Sequence, residues 1–423
     1  MAASAHHPQT PAERLTARTI AAAWLLWLVG GLYIAGPVIG WLLAALVFAD
    51  LYLGRKSIAI IPVTVWVWIA GMAAMLVILW IGHSNFALGA GQTIKSSIGW
   101  AKGWALIALF PLAGAVLDIR LSVLARAVCR LGIWTLVILP LFLIAPFIGL
   151  PETLWVSPLR AVGGPGPEYF ATILYTIEPG AGTPRWQFFA PWSPAAGMVA
   201  VIYLFIAAQE KSLPWRLIGM TGFLAIALLS QSRLALVAIA VVAPIVWATA
   251  RMDKGWLWWL GAAAVLLVGL FGLEIMAGIE KLASDFSSAR ADSSRVRAAL
   301  GRIALERWEN EAFWFGHGIV ENGPHLVEYM PIGSHHSWYG LLFVKGLLGA
   351  LALGVPLLLT LARLAWVARA GQVQRTGFAL TLVLALYSFG ENLEILAYLF
   401  WPALIVIGKA LATPVAPRTP SDD

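Results

Sequence analysis

Two adjacent histidines, His335 and His336, close a long polar stretch that runs from about Glu274 to Tyr339, where an apolar segment resumes as Ser337-Trp338-Tyr339. An imidazole at a membrane mouth can change charge near neutral pH, which suits it to take a proton from a hydroxyl. The pair could instead hold a metal ion, but no carboxylate or cysteine stands at convincing ligand spacing, so metal is the weaker reading. His317, in Phe315-Gly316-His317-Gly318, is a third imidazole in the same stretch, whereas His325, His6 and His7 read as exposed. The stretch also supplies arginines. Arg295 and Arg297 stand near the start of an expected amphipathic helix, Ser294 to Glu311. At about 100° per residue, Arg295, Arg302, Glu306 and Glu309 share one face and Val296, Leu300 and Ile303 another, while Arg295 and Arg297 diverge by about 200°. Asp292-Ser293-Ser294 is an N-cap signal, and free amides with arginines nearby make an anion site. The same helix also reads as one lying on the membrane surface with its arginines on lipid phosphate. Upstream, Arg233 follows Ser230-Gln231-Ser232 and runs straight into Leu234-Ala235-Leu236-Val237. An arginine so close to hydrocarbon snorkels, pairs or faces a wet cavity.

These side chains must be positioned by membrane helices. Of 423 residues, 60% are hydrophobic and only 12% charged, and the mean hydropathy is +0.82. Soluble domains carry about 25% charged residues, so the chain is expected to be an all-α polytopic membrane protein. Spans of about 20 residues fall near 20–36, 37–53, 58–82, 101–117, 132–150, 194–208, 217–230, 234–250, 256–273, 338–362, 376–390 and 395–411, about twelve in all. The first two are expected to turn at Gly36-Pro37, residues 84–97 to form a loop, and Arg120, Arg126 and Arg130 to share a basic loop. Residues 1–19 and 412–423 are terminal tails, and 20–273 holds the first nine spans with a loop at 151–193. Residues 274–337 form the large loop, and 338–411 the last three spans.

The net charge of +7 is not a nucleic-acid patch, because the basic residues fall in short loops between apolar blocks. With an even span count, Arg14, Arg18, Arg55, Lys56, Arg120, Arg126, Arg130, Lys211, Arg216, Arg251, Lys254, Arg363, Arg369, Arg375, Lys409 and Arg418 share one side, the cytoplasm by the positive-inside rule. Loops 151–193 and 274–335 and the Arg233 tip then face outward. The 22 tryptophans suit interfacial belts, as at Trp256, Trp258 and Trp259. The single Cys129 excludes an intramolecular disulfide and reads as packing. The N-terminus lacks a small-residue cleavage site, so no removable signal is expected. Gly346-Leu347-Leu348-Gly349 reads as helix packing.

The histidine stretch, the arginine tip and the outer helix together resemble the O-antigen ligase and polymerase superfamily of bacterial envelope glycosyltransferases. His335 is followed eleven residues on by Gly346-Leu347-Leu348-Gly349, which favours it over His336, though a one-residue slip reverses the choice. Ser232-Arg233-Leu234-Ala235-Leu236 looks like the family's Ser-Arg-apolar run, and Arg295 through Gly316-His317-Gly318 like its arginine, helix and glycine turn. The resemblance covers about residues 220–360. It implies a GT-C-like fold of about twelve helices with a large helical periplasmic loop in the inner membrane, both termini cytoplasmic. It further implies metal-independent transfer, without a cofactor, of a glycan from undecaprenyl diphosphate to an acceptor hydroxyl. The acceptor would be lipid A–core for a ligase, or a growing O-antigen, capsule or exopolysaccharide chain for a polymerase. Arg233 and Arg295, with Arg297 in reserve, would bind the diphosphate, and His335 would deprotonate or orient the acceptor hydroxyl. Where ligases often have His-Asn, this chain has His335-His336, and it is expected to lack the large C-terminal periplasmic domain of relatives that glycosylate proteins. A twelve-span transporter or flippase is the reading from another class. It would place ionisable residues or broken helices at mid-membrane, and spans one to six show almost none. An inactive scaffold subunit is a third.

Overall fold

The computed structural model describes residues 7–178, 182–288 and 291–414. His6, Arg418 and the tail from 415 lie outside the described residues, as do the side chains of Asp292, Ser293 and Ser294. The chain is a helical membrane protein. It begins with α1 (Pro11–Ala21), α2 (Ala23–Leu28), α3 (Leu32–Tyr52), α4 (Val63–Asn85), α5 (Gly89–Lys102), α6 (Trp104–Val116) and α7 (Leu121–Ile144). A loop segment follows, with β1 (Thr153–Val156), β2 (Ala171–Ile173), β3 (Thr176–Ile177) and β4 (Pro184–Arg185). Then come α8 (Ser193–Ala207), α9 (Leu213–Leu229), α10 (Arg233–Thr249), α11 (Gly255–Ser288), α12 (Ala291–Glu311), α13 (Ser337–Val367), α14 (Gln372–Tyr387) and α15 (Leu393–Ala412).

Among the described residues, six helical runs are long and apolar enough to cross a membrane: Leu32–Tyr52, Val63–Asn85, Gly89–Val116, Leu121–Ile144, Ser337–Val367 and Leu393–Ala412. At a rise of about 1.5 Å per residue, shorter apolar helices such as α8, α9 and α10 fall below a hydrocarbon core of about 30 Å. The bundle packs around α15, 83% of whose most apolar window is buried. It crosses α6 with Gly114 and Gly408 at the contact, where neither position leaves room for a Cβ. Close approach of this kind is how helices gain dispersion contact in lipid, where water drives nothing together. Apolar faces turned away from the bundle, with Phe48, Trp80 and Val137 exposed, suit contact with acyl chains.

Several expectations are corrected. The first turn lies at Gly30, with φ +65°, and Pro37 is inside α3. Glycine tolerates that backbone after a helix end, while Gly36 is pressed against Tyr398. Residues 84–97 are mostly α5, tied back to α4 by Trp80 Nε1 to Ser97 Oγ (3.0 Å) and His83 Nε2 to Ser96 Oγ (2.9 Å). Arg126 and Arg130 lie within α7 rather than in a loop. A helix can carry Arg126 there because its guanidinium makes paired bonds of 2.8 and 2.9 Å to the buried Glu210 carboxylate. The polar stretch does not open as a loop at 274, because α11 runs to Ser288 with a break at Phe271. Trp256, Trp258 and Trp259 are exposed, but Trp24, Trp68 and Trp186 are buried. Each of those donates its N–H, to Thr135 Oγ1, Thr360 Oγ1 and the Phe142 carbonyl, so they are core residues rather than belt.

Loop 151–193 forms two small antiparallel pairs, β1 with β2 and β3 with β4. Its aromatic side chains carry it onto the bundle: Tyr169 meets Tyr33 and Tyr398 at 5.2 and 5.9 Å, and Phe188 and Phe189 join Phe142 and Trp24. The loop thereby becomes a wall of the site described next.

Candidate active site

The turn before α13 and the turn between α14 and α15 are stapled together. Ser337 Oγ donates to the Glu391 carbonyl at 2.7 Å and accepts from the Leu393 amide at 3.0 Å. The Ser337 amide donates to the Ser388 carbonyl at 2.9 Å, and Trp338 Nε1 donates to Ser388 Oγ at 2.9 Å. Trp192, the residue ahead of α8, closes a third side. Its indole packs on His335 at 6.3 Å and its N–H donates to Glu391 Oε2 at 2.9 Å. Ser337, Trp192, His335 and Glu391 border a cavity of about 500 Å³ that Tyr169 and Asn392 also line, with Lys345 and Glu394 present as well.

The two histidines have different surroundings. His335 adopts φ +62° and borders the cavity. His336 caps α13: its Nδ1 accepts the Tyr339 amide at 3.2 Å. Its ring stacks on Tyr339 at 3.9 Å and meets Phe389 edge-on at 5.8 Å. Burial pushes both imidazoles down to about 4, with the Arg297 charge adding to the effect at His335. Both rings are therefore neutral at neutral pH.

The arginines are also told apart. The charge of Arg297, on α12, acts on both His335 and Glu391. Arg295 and Arg297 are both exposed, on diverging faces of the helix. The helix that carries them starts at Ala291, so Asp292-Ser293-Ser294 falls inside its first turn and is not the cap. Its apolar side, Val296, Ala299 and Leu300, is buried with Val327, which fixes the helix to loop 320–335. Arg233 opens α10, and its neighbour Leu234 leaves no space for a side chain at Gly390. Arg233 thus adjoins the Glu391 turn without bordering the cavity.

A broken helix holds the other end of the site. At Gly346, with φ +64° and ψ −167°, α13 is interrupted, which only glycine tolerates readily. The freed backbone groups pair with residues 313–318. The His317 and Gly318 amides donate to the Phe343 and Val344 carbonyls, and the Leu347 amide donates to the Phe313 carbonyl, all at 2.9 Å. Gly346-Leu347-Leu348-Gly349 is therefore a break satisfied by protein, not only a packing surface. His317 is 1% exposed. Its Nδ1 lies 2.9 Å from the Phe343 carbonyl and its Nε2 2.8 Å from Glu311 Oε2, so both nitrogens are committed to structure.

Three ionisable residues of the cavity went unread in the sequence. Glu391 and Glu394 lay between the spans expected at 376–390 and 395–411, and Lys345 lay inside the span expected at 338–362, whose charge was not weighed. The available signal was the position of Lys345, since an ionisable residue within an apolar span is costly and marks function or a polar path.

A search of curated proteins gives no match. Residues 218–354 match the family model described as O-antigen ligase. That stretch contains Arg233, Arg295, Arg297, His317, His335 and the Gly346 break, and it stops short of Glu391. Over these residues the chain is similar to the O-antigen ligase family.

Proposed function

We propose that this protein transfers a glycan from undecaprenyl diphosphate to an acceptor hydroxyl at the periplasmic face of the inner membrane, with lipid A–core as acceptor. The observation that carries the reading is the cavity at the start of α13, within reach of the family-matched stretch. His335 and Glu391 border it, the Arg297 charge acts on both, and the helix that Arg233 opens packs through Leu234 on the Gly390 turn beside it. In transfer, the anomeric carbon–oxygen bond to the diphosphate breaks and the electron pair leaves on the diphosphate. Arg233 and one of the two diverging arginines of α12, Arg295 or Arg297, would hold that group, because fixed guanidinium forks stabilise charge as it develops. His335, neutral at working pH, orients the acceptor hydroxyl, and His336, whose Nδ1 is engaged in capping, is the lesser candidate. Twelve spans, a GT-C-like arrangement and cytoplasmic termini complete the reading. The basic residues of the short loops support the cytoplasmic placement of the termini through the positive-inside rule.

The test is the glycan left on the lipid carrier in a deletion strain. A ligase deletion accumulates long chains on the carrier. Single repeat units accumulating instead would make the protein a polymerase of the same superfamily, and a carrier profile unchanged from the parent strain would reject transfer altogether. Complementation by Arg233→Ala or His335→Ala should fail at unchanged membrane levels. Chelator should leave transfer by the purified protein unaffected.

A further inference from the structure

The turn between α14 and α15 holds a buried carboxylate of which the fold engages only one oxygen. Glu391 is 1% exposed. Its backbone already fixes the turn, with its amide on the Tyr387 carbonyl at 2.8 Å and its carbonyl accepting from Ser337. On the side chain, Oε2 accepts from Trp192 Nε1, while Oε1 is buried with no hydrogen-bond partner among the described residues. A buried carboxylate oxygen left unmet costs free energy, about 1–3 kcal/mol or more, and such sites store function rather than stability. The charged and titratable groups felt there are Arg297 on α12, Tyr169 of the outer loop and Tyr387 at the end of α14. His335 borders the same cavity and shares the Trp192 indole.

We infer that Glu391 is the proton acceptor of the reaction, taking the proton of the acceptor hydroxyl that His335 orients; this rests on the glycan-transfer reading above. As the hydroxyl oxygen bonds to the anomeric carbon, its proton passes to Glu391 Oε1. The anomeric carbon–oxygen bond to the diphosphate breaks, and the lipid diphosphate leaves with the electron pair. The proton on Glu391 is then released to solvent, so that donor and acceptor give glycoside, lipid diphosphate and one proton. Burial pushes the carboxyl up to about 7, against the Arg297 charge and the Trp192 hydrogen bond, which pull it down. A base is most effective with its affinity for the proton near working pH, whereas His335 is held far below that range.

The experiment measures transfer by purified full-length protein from undecaprenyl-diphosphate-linked glycan, from pH 5 to 9. It compares wild type, Glu391→Gln, Glu391→Asp and Glu391→Ala, the last with and without formate. The wild-type kcat should rise through about pH 7 to a plateau. Glu391→Gln should lose roughly 100-fold or more in kcat with donor KM within about threefold, and Glu391→Asp should keep a measurable rate. Formate should restore part of the Glu391→Ala rate, which a misfolded protein would not permit. A Glu391→Gln kcat within about fivefold of wild type, or a Glu391→Ala protein that binds donor and ignores formate, overturns the inference. A wild-type protein that turns over no lipid-linked donor at any pH overturns the transfer reading and the inference with it.

Discussion

Two clusters that draw on the same polar stretch are built from the same residue types and are wired in opposite ways. In the first, Arg307 bonds Glu311 at 2.8 Å and also reaches Glu321. His317 is sealed between Glu311 and a carbonyl while stacking on Phe343 at 4.3 Å. The hydrogen bond from Arg307, and then the one from His317, hold the Glu311 carboxyl down to about 2. In the second, His335 and Glu391 border a cavity and feel the charge of Arg297, one carboxylate oxygen has no partner among the described residues, and burial drives Glu391 up and His335 down. Residue type alone would rank the two histidines equally. What separates them is saturation. A charge whose partners are all supplied by the fold is stable and has nothing left for a ligand, whereas buried groups with unused hydrogen-bonding capacity are held by the fold at its own expense.

The contrast can be broken or sharpened by substitution. The largest effect is expected from Arg297→Gln. It removes the positive charge that lowers the proton affinity of both Glu391 and His335, so the acid limb of the kcat profile should move to higher pH. The diphosphate also loses a contact, and kcat/KM should fall about 10²-fold or more. An unmoved limb would detach Arg297 from the site. Next, His317→Ala should cost about 2 kcal/mol of stability, as expected for a lost hydrogen bond to a charged partner. It should read as a lower melting temperature in detergent with kcat of the folded fraction within a few-fold of wild type. A selective loss of kcat would put chemistry in the first cluster. The smallest effect is on acid stability. His335 and His336 bind protons near 6.5 when unfolded and near 4 when folded. Below about 6.5 the unfolded chain therefore takes up protons first, and stability should fall as pH drops from 6.5 towards 4. Glu391, with its proton affinity raised, acts in the opposite sense between 4.5 and about 7. Thermal scans of His335→Gln should show a weaker acid decline than wild type, and an identical decline would count against the buried neutral ring.

Much of this arrangement was legible in residue order, and the remainder depended on contacts between distant turns. Apolar runs announced a helical membrane protein, and the polar stretch with its arginine helix and paired histidines marked the matched domain. The Gly36-Pro37 signal misled because proline is tolerated near a helix start, and the turn used Gly30 instead. The Arg126 helix was missed because its partner, Glu210, is far along the chain, and a lone arginine reads as a loop residue. Glu391 was missed for a similar reason. It gains its environment only when the turn holding it is stapled to Ser337 and covered by Trp192, contacts that span 54 and 199 residues. The choice between His335 and His336 likewise needed the cap geometry at Tyr339, which spacing does not encode.

The most direct measurement is single-turnover transfer from undecaprenyl-diphosphate-linked glycan by purified His335→Ala and His317→Ala proteins beside wild type. Removing His335 should slow transfer at least about 100-fold while donor still binds, and removing His317 should leave the folded protein near the wild-type rate. Wild-type transfer by His335→Ala, or a chemical defect confined to His317→Ala, would contradict the assignment of the reaction to the cavity at the start of α13.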